Sequence, residues 1–168
     1  MELALFLSVG AIAILGAVGV VTLRNAVHSA LSLITNMVAL AVLFLMLNAQ
    51  FVAIVQIIVY AGAVMVLFLF VIMLLGEKAQ EGRERLPGQR VFAIALGALL
   101  LAEIIYVAQP NLLPGLPGKA TTDMVAQGGN VQLVGRLLLS DYVFPFELTS
   151  VLLLVAIVGA VVLAKRKL

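Results

Sequence analysis

Between Ala26 and Gly76 the chain runs for 51 residues without an aspartate, glutamate, lysine or arginine. A continuous α-helix of that length would reach about 76 Å at ~1.5 Å per residue, whereas the hydrocarbon core of a bilayer is roughly 30 Å thick and needs about 20 apolar residues to cross. The run must therefore cross twice. Its one central polar cluster, Asn48-Ala49-Gln50, divides it into a span from Ala26 to Leu47 and another from Phe51 to Leu75. A connection this short predicts antiparallel neighbours.

The remaining spans follow from the same length rule. Leu3 to Leu23 forms the first; Glu2 precedes it and no lysine or arginine comes before Arg24, unlike the basic start of a signal peptide. Residues 76–88 include the charged stretch Glu77 to Gly88, with Gly82, Pro87 and Gly88 as helix breakers, and read as a solvated loop. Gln89 to Gln109 is span four. Pro110, Pro114, Gly115, Pro117 and Gly118 end it and open a second loop, residues 110–145, in which Val131 to Leu139 is apolar but too short to cross and reads as an interfacial or buried helix. Span five runs from Phe146 to Ala164 and stops at Lys165-Arg166-Lys167. The expected fold is an all-α integral membrane protein with five transmembrane helices, residues 1–168 forming a single membrane domain.

Orientation follows from the basic residues of the loops. Arg24, Lys78, Arg83, Arg85, Arg90, Lys165, Arg166 and Lys167 gather on one side, Lys119 and Arg136 on the other. By the positive-inside rule the C-terminus and the 76–88 loop are cytoplasmic, and the N-terminus and the 110–145 loop lie outside.

Composition excludes several functions. The 64% hydrophobic and 11% charged content, with a mean hydropathy of +1.25, is far from that of a soluble domain, so the bilayer is the solvent. The formal charge of +2 comes from a few excess bases rather than a basic patch, which argues against nucleic acid as a partner. With no cysteine and one histidine, His28, the chain offers no thiolate for an iron–sulfur cluster or zinc and no bis-histidine haem site. It contains no GxGxxG or GxxxxGK[ST] loop for a nucleotide. No metal site is expected.

Polar groups inside the spans are the remaining candidates. His28, Ser32 and Thr35 or Asn36 recur at spacings of three and four on span two, a stripe that either hydrogen-bonds between helices or orders water. On span three Gln56 and Tyr60 share a face, and Ala61-Gly62-Ala63 interrupts a run of bulky residues. Gly62 there either admits a neighbouring helix or weakens the helix at a functional irregularity. Glu103 is the one carboxylate well inside a span, and with Glu147 at the start of span five it either snorkels to the interface or carries protons. Ala13 with Ala17 on span one, and Ala156 and Ala160 beside Gly159 on span five, mark packed faces.

The segment Gln56-Ile-Ile-Val-Tyr-Ala-Gly-Ala-Val-Met-Val-Leu-Phe-Leu-Phe-Val-Ile-Met-Leu-Leu75, with Arg24-Asn25-Ala26-Val27-His28 and Phe146-Glu147-Leu148 to Leu163, resembles the subunit J family of NADH-quinone oxidoreductase, equivalent to mitochondrial NADH dehydrogenase subunit 6. The resemblance implies a membrane-arm subunit of complex I in a bacterial inner (plasma) membrane, with the other membrane-arm subunits as partners. FMN, iron–sulfur clusters and quinone would be bound on other subunits and no cofactor on this chain. In that family the third helix can carry a π-bulge whose conversion to α-helix is proposed to gate a water path; Tyr60, Ala61, Gly62, Ala63, Val64 and Met65 are the matching positions. Some relatives carry glutamate where this chain has Gln56, and a carboxamide hydrogen-bonds but does not exchange a proton at physiological pH. Gln56, His28, Ser32, Asn36, Glu103 and Glu147 complete the candidate polar path. The other readings are a structural subunit of a related membrane hydrogenase or cation antiporter, and a stand-alone channel or transporter. The latter ordinarily presents paired ionisable groups or broken helices at the midplane.

Overall fold

Arg24-Asn25 interrupts the apolar sequence for less than one helical turn because Asn25 restarts the helix at once. Its Oδ1 accepts from the backbone N–H groups of Val27 at 2.9 Å and His28 at 3.1 Å, satisfying two of the donors that a helix N-terminus leaves without partners. The computed structural model describes residues 2–75, 88–109, 124–125 and 128–165. On either side of Asn25 lie α1 (Glu2–Thr22) and α2 (Ala26–Met46).

The two helices pair antiparallel. Val9 and Ala13 cluster with Ala39, Gly16 lies under Asn36, Gly19 lies under Ser32, and the Ser29 hydroxyl donates to the Val20 carbonyl at 2.7 Å, so partner numbers fall along α2 as they rise along α1. The close approach is made by glycine. A Cβ on Gly16 would stand 3.1 Å from the Asn36 Cβ and the Ser32 carbonyl oxygen, and one on Gly19 would stand 2.8 Å from the Ser32 Oγ. Of the alanine pair expected at this face, Ala13 is buried but Ala17 is exposed; the packed row continues through the glycines.

α2 ends in a Schellman motif. The Ala49 N–H donates to the Phe44 carbonyl at 2.9 Å and the Asn48 N–H to the Leu45 carbonyl at 3.0 Å, with Asn48 left-handed at φ 58°. Asparagine tolerates that conformation better than any residue but glycine. The chain reverses here into one 26-residue helical span, Gln50–Leu75, made of α3 (Gln50–Val55), a π-helical segment (Gln56–Val64) and α4 (Met65–Leu75). It packs back along α2.

Two helices follow in the same compact unit, which comprises residues 1–75 and 120–168. α6 (Asn130–Leu138) packs on α3, and its Asn130 Oδ1 accepts the Phe51 N–H at 3.0 Å. α7 (Val143–Ala164) starts three residues before the expected Phe146, because Pro145 falls in the first turn, where a missing N–H costs nothing. Among the described residues α7 touches only α6, and Ala156 and Ala160 on the expected packed face are exposed.

The second unit, residues 76–119, contains α5 (Gln89–Val107). By length and composition α1, α2, Gln50–Leu75 and α7 are each sufficient to cross a bilayer, while the apolar part of α5, Val91–Val107, is shorter. The expected loop at 76–88, apart from Gly88, lies outside the described residues. So do most of the Pro- and Gly-rich part of the 110–145 loop and the terminal Arg166 and Lys167.

Candidate functional site

The middle of the third span departs from α-helical geometry over nine residues, Gln56–Val64. At its end the Met65 N–H reaches the carbonyl of Tyr60, five residues back, which is the π-helical bond rather than the α-helical one. Gly62 is the glycine of this segment. A Cβ there would stand 3.3 Å from the carbonyl oxygen of Ile57, and no other atom beyond its own turn lies within 4 Å. Among the described residues no neighbouring helix reaches the Gly62 Cβ position; the atom that does is the carbonyl oxygen of Ile57, five residues back in the same π segment.

The irregularity sets which side chains face α2. Gln56 and Met65 are 8% and 4% exposed. Gln56 Nε2 donates to Met37 Sδ at 2.9 Å, and Met65 lines a cleft of about 220 Å³ with Leu33, Met37, Tyr60, Val64 and Phe68. In a regular α-helix the nine positions from 56 to 65 would turn through about 900°, leaving the two side chains about half a turn apart. The π segment brings both to the α2 side. Tyr60 is half exposed, Ala61 and Gly62 are half-buried, and Ala63 and Val64 are exposed; Met65 is the first residue of α4.

The other polar candidates are dispersed. Ser32 and Asn36 lie half-buried against Gly16 and Gly19 of α1, whereas His28 is exposed at the start of α2. Thr35 is exposed, its hydroxyl donating to the Leu31 carbonyl at 3.1 Å. The stripe on α2 is thus largely taken up by contact with α1. Glu103 is exposed on α5 and Glu147 near the start of α7. Among the described residues no three His, Cys, Asp or Glu side chains are grouped as metal ligands would be.

Sequence reasoning missed a second cavity, of about 460 Å³, lined by Asn48, Gln50, Val125, Gly129, Asn130 and Gln132 among others. The Gln50 Oε1 is buried without a hydrogen-bond partner among the described residues. The only linear signal was the density of carboxamides in two segments about eighty positions apart, whose proximity requires the fold. Met37 was missed for a similar reason, since a thioether in an apolar span carries no polar signal.

The chain matches the NADH-ubiquinone/plastoquinone oxidoreductase chain 6 family over residues 16–163. It is 41% identical over 179 aligned positions to the NAD(P)H-quinone oxidoreductase subunit 6 of the Paulinella chromatophora organellar chromatophore, covering 99% of this chain and 80% of that protein. It is 44% identical over 153 positions to the NADH-quinone oxidoreductase subunit 10 of Thermus thermophilus, covering 90% and 83%. With the NAD(P)H-quinone oxidoreductase chain 6 of Synechocystis sp. it shares 37% identity over 163 positions, covering 97% and 78%.

Proposed function

Because this chain belongs to the NADH-ubiquinone/plastoquinone oxidoreductase chain 6 family and is therefore a multi-pass membrane subunit of an NAD(P)H-quinone oxidoreductase, we propose that it helps couple quinone reduction to proton translocation by gating a water path at its third span. In this reading it occupies the membrane arm of complex I in a bacterial inner membrane, contacts the other membrane-arm subunits and lipid, and crosses five times with its N-terminus outside. Flavin, iron–sulfur clusters and quinone are bound by other subunits.

The observation that carries the gating role is the π-helical segment at Gln56–Val64. A π turn encloses one more residue than an α turn. Converting it to α-helix shifts one half of the span against the other by one residue, about 100° of rotation and ~1.5 Å of rise. Tyr60, whose hydroxyl can order water, stands inside the moving segment. The polar group at its start, Gln56, is a carboxamide, so its part is to hydrogen-bond and orient rather than to carry the proton.

Gly62→Ala tests this with the smallest possible change. In the π geometry the added methyl would stand 3.3 Å from the Ile57 carbonyl oxygen, and alanine favours regular helix over irregular backbone by up to roughly 1 kcal/mol, enough to move a two-state balance about fivefold. The assembled complex is expected to retain NADH oxidation with an artificial acceptor but to lose much of its proton uptake in vesicles during quinone reduction. Undiminished proton uptake at normal assembly would remove the gating role.

A further inference from the structure

We propose that Met37 is the positioning residue that fixes the register of the third span: its thioether holds Gln56 against α2 at the start of the π segment, while Met65 is buried on the same side just beyond its end. The significance of that register for coupling rests on the function proposed above, but its geometry does not. Gln56 is the buried polar residue of the described chain, and among the described residues its Nε2 reaches Met37 Sδ at 2.9 Å. Sulfur is a weak acceptor. In an apolar surrounding, however, an amide donor with no partner costs far more than a weak bond returns, so Gln56 is held where the sulfur is.

Phase turns this contact into a register device. Regular α-helix from 56 to 65 would place these two side chains on opposite faces, so only the π form lets Gln56 reach Met37 while Met65 lines the cleft beside Leu33 and Met37. Conversion to α-helix must release one anchor. Releasing Gln56 strands an amide, and releasing Met65 uncovers a side chain that is almost fully buried. Met37 contributes to both costs, because it bonds the first anchor and walls the cleft that receives the second. A methionine is suited to this, being flexible enough to follow the amide and apolar enough to line the cleft.

The chain has no cysteine, so introduced pairs are unique within it. One pair, Leu33→Cys with Phe68→Cys, spans the cleft and reports the downstream half of the span. The other, Ala41→Cys with Ala53→Cys, uses buried positions of the packed helices α2 and α3 and reports the upstream half. Each pair is placed in the full complex in its native membrane and cross-linked with a short bifunctional thiol reagent. In the native background both should cross-link, a combination that regular helix does not allow. Met37→Leu, which keeps volume and removes the acceptor, should lower one of the two yields about fivefold. Met37→Gln, which restores an acceptor of similar reach, should recover it. A merely structural role for Met37 predicts the reverse, since leucine would then be the better substitute. If Met37→Leu alone prevents assembly, Met37→Leu with Gln56→Leu removes donor and acceptor together; it should assemble and give the same low yield. Both yields unchanged in Met37→Leu, no recovery in Met37→Gln, or failure of the double variant to assemble would each overturn the proposal. A lowered yield with unchanged proton uptake per NADH would instead leave Met37 its role and remove the coupling function from the span.

Discussion

At the scale of single residues, asparagine does work that composition conceals. Asn25 caps α2, Asn130 accepts the Phe51 N–H in the first turn of the third span, and Asn48 occupies the left-handed position between them. Each lets the backbone start or stop a helix with its polar groups satisfied, which matters more near a bilayer than in water because an unpartnered group there costs several kcal/mol. Asn48 is the most exacting of the three. Asn48→Val places a β-branched side chain at φ 58° and should cost about 1–2 kcal/mol, visible as a reduced amount of assembled complex on a native gel. Asn48→Gly should assemble at the native level. Equal assembly of the two would mean that the turn is not held in this conformation.

At the scale of elements, α1 and α2 are joined by close approach rather than by apolar bulk. Lipid tails offer helices no hydrophobic reason to associate, so contact depends on small residues and a few hydrogen bonds. Here these are Gly16, Gly19 and the Ser29 hydroxyl bonded to the Val20 carbonyl. The two glycines are not equivalent. The Cβ of Gly16→Ala would meet backbone atoms of Ser32 and Asn36 together with the Asn36 Cβ, whereas the tightest contact of Gly19→Ala would be with the Ser32 Oγ at 2.8 Å, which can rotate away, leaving the Ser32 Cβ at 3.1 Å. Gly16→Ala should therefore be the more damaging, by about 1–3 kcal/mol of overpacking, and Ser32→Ala should partly relieve Gly19→Ala but not Gly16→Ala. The thermal inactivation temperatures of the complexes carrying these variants give the ranking, and the opposite order would place the contact elsewhere.

At the scale of the whole molecule, the exposed surface is largely apolar, and α7 has no buried residue. An apolar surface of this kind is what a chain surrounded by lipid and neighbouring subunits is expected to present. Its topology is a separate matter, for which eight basic residues against two predict a cytoplasmic C-terminus. Single cysteines at Ala120 and Leu168 can be tested with an impermeant thiol reagent on intact cells. Ala120→Cys should be labelled and Leu168→Cys protected; the reverse pattern would invert the topology.

The sequence by itself determined the class of protein, the positions of the helices and the turn at Asn48, since all of these follow from local quantities: runs of apolar residues long enough for a bilayer, and polar or breaker residues where they end. It also carried the family, through the ordered residues of the third span, and marked Gly62 as a weak point. It did not show why Gly62 is glycine. A close approach by another helix and a π turn leave the same trace in a sequence; among the described residues the Cβ position of Gly62 meets only the Ile57 carbonyl oxygen of its own π segment. Nor did it reveal Gly16 and Gly19 as the α1–α2 contact, Asn130 at the start of the third span, or Met37 as the partner of Gln56. Those facts depend on the phase and separation of helices, which one added residue in a turn changes by about 100° while the sequence of polar and apolar residues stays the same.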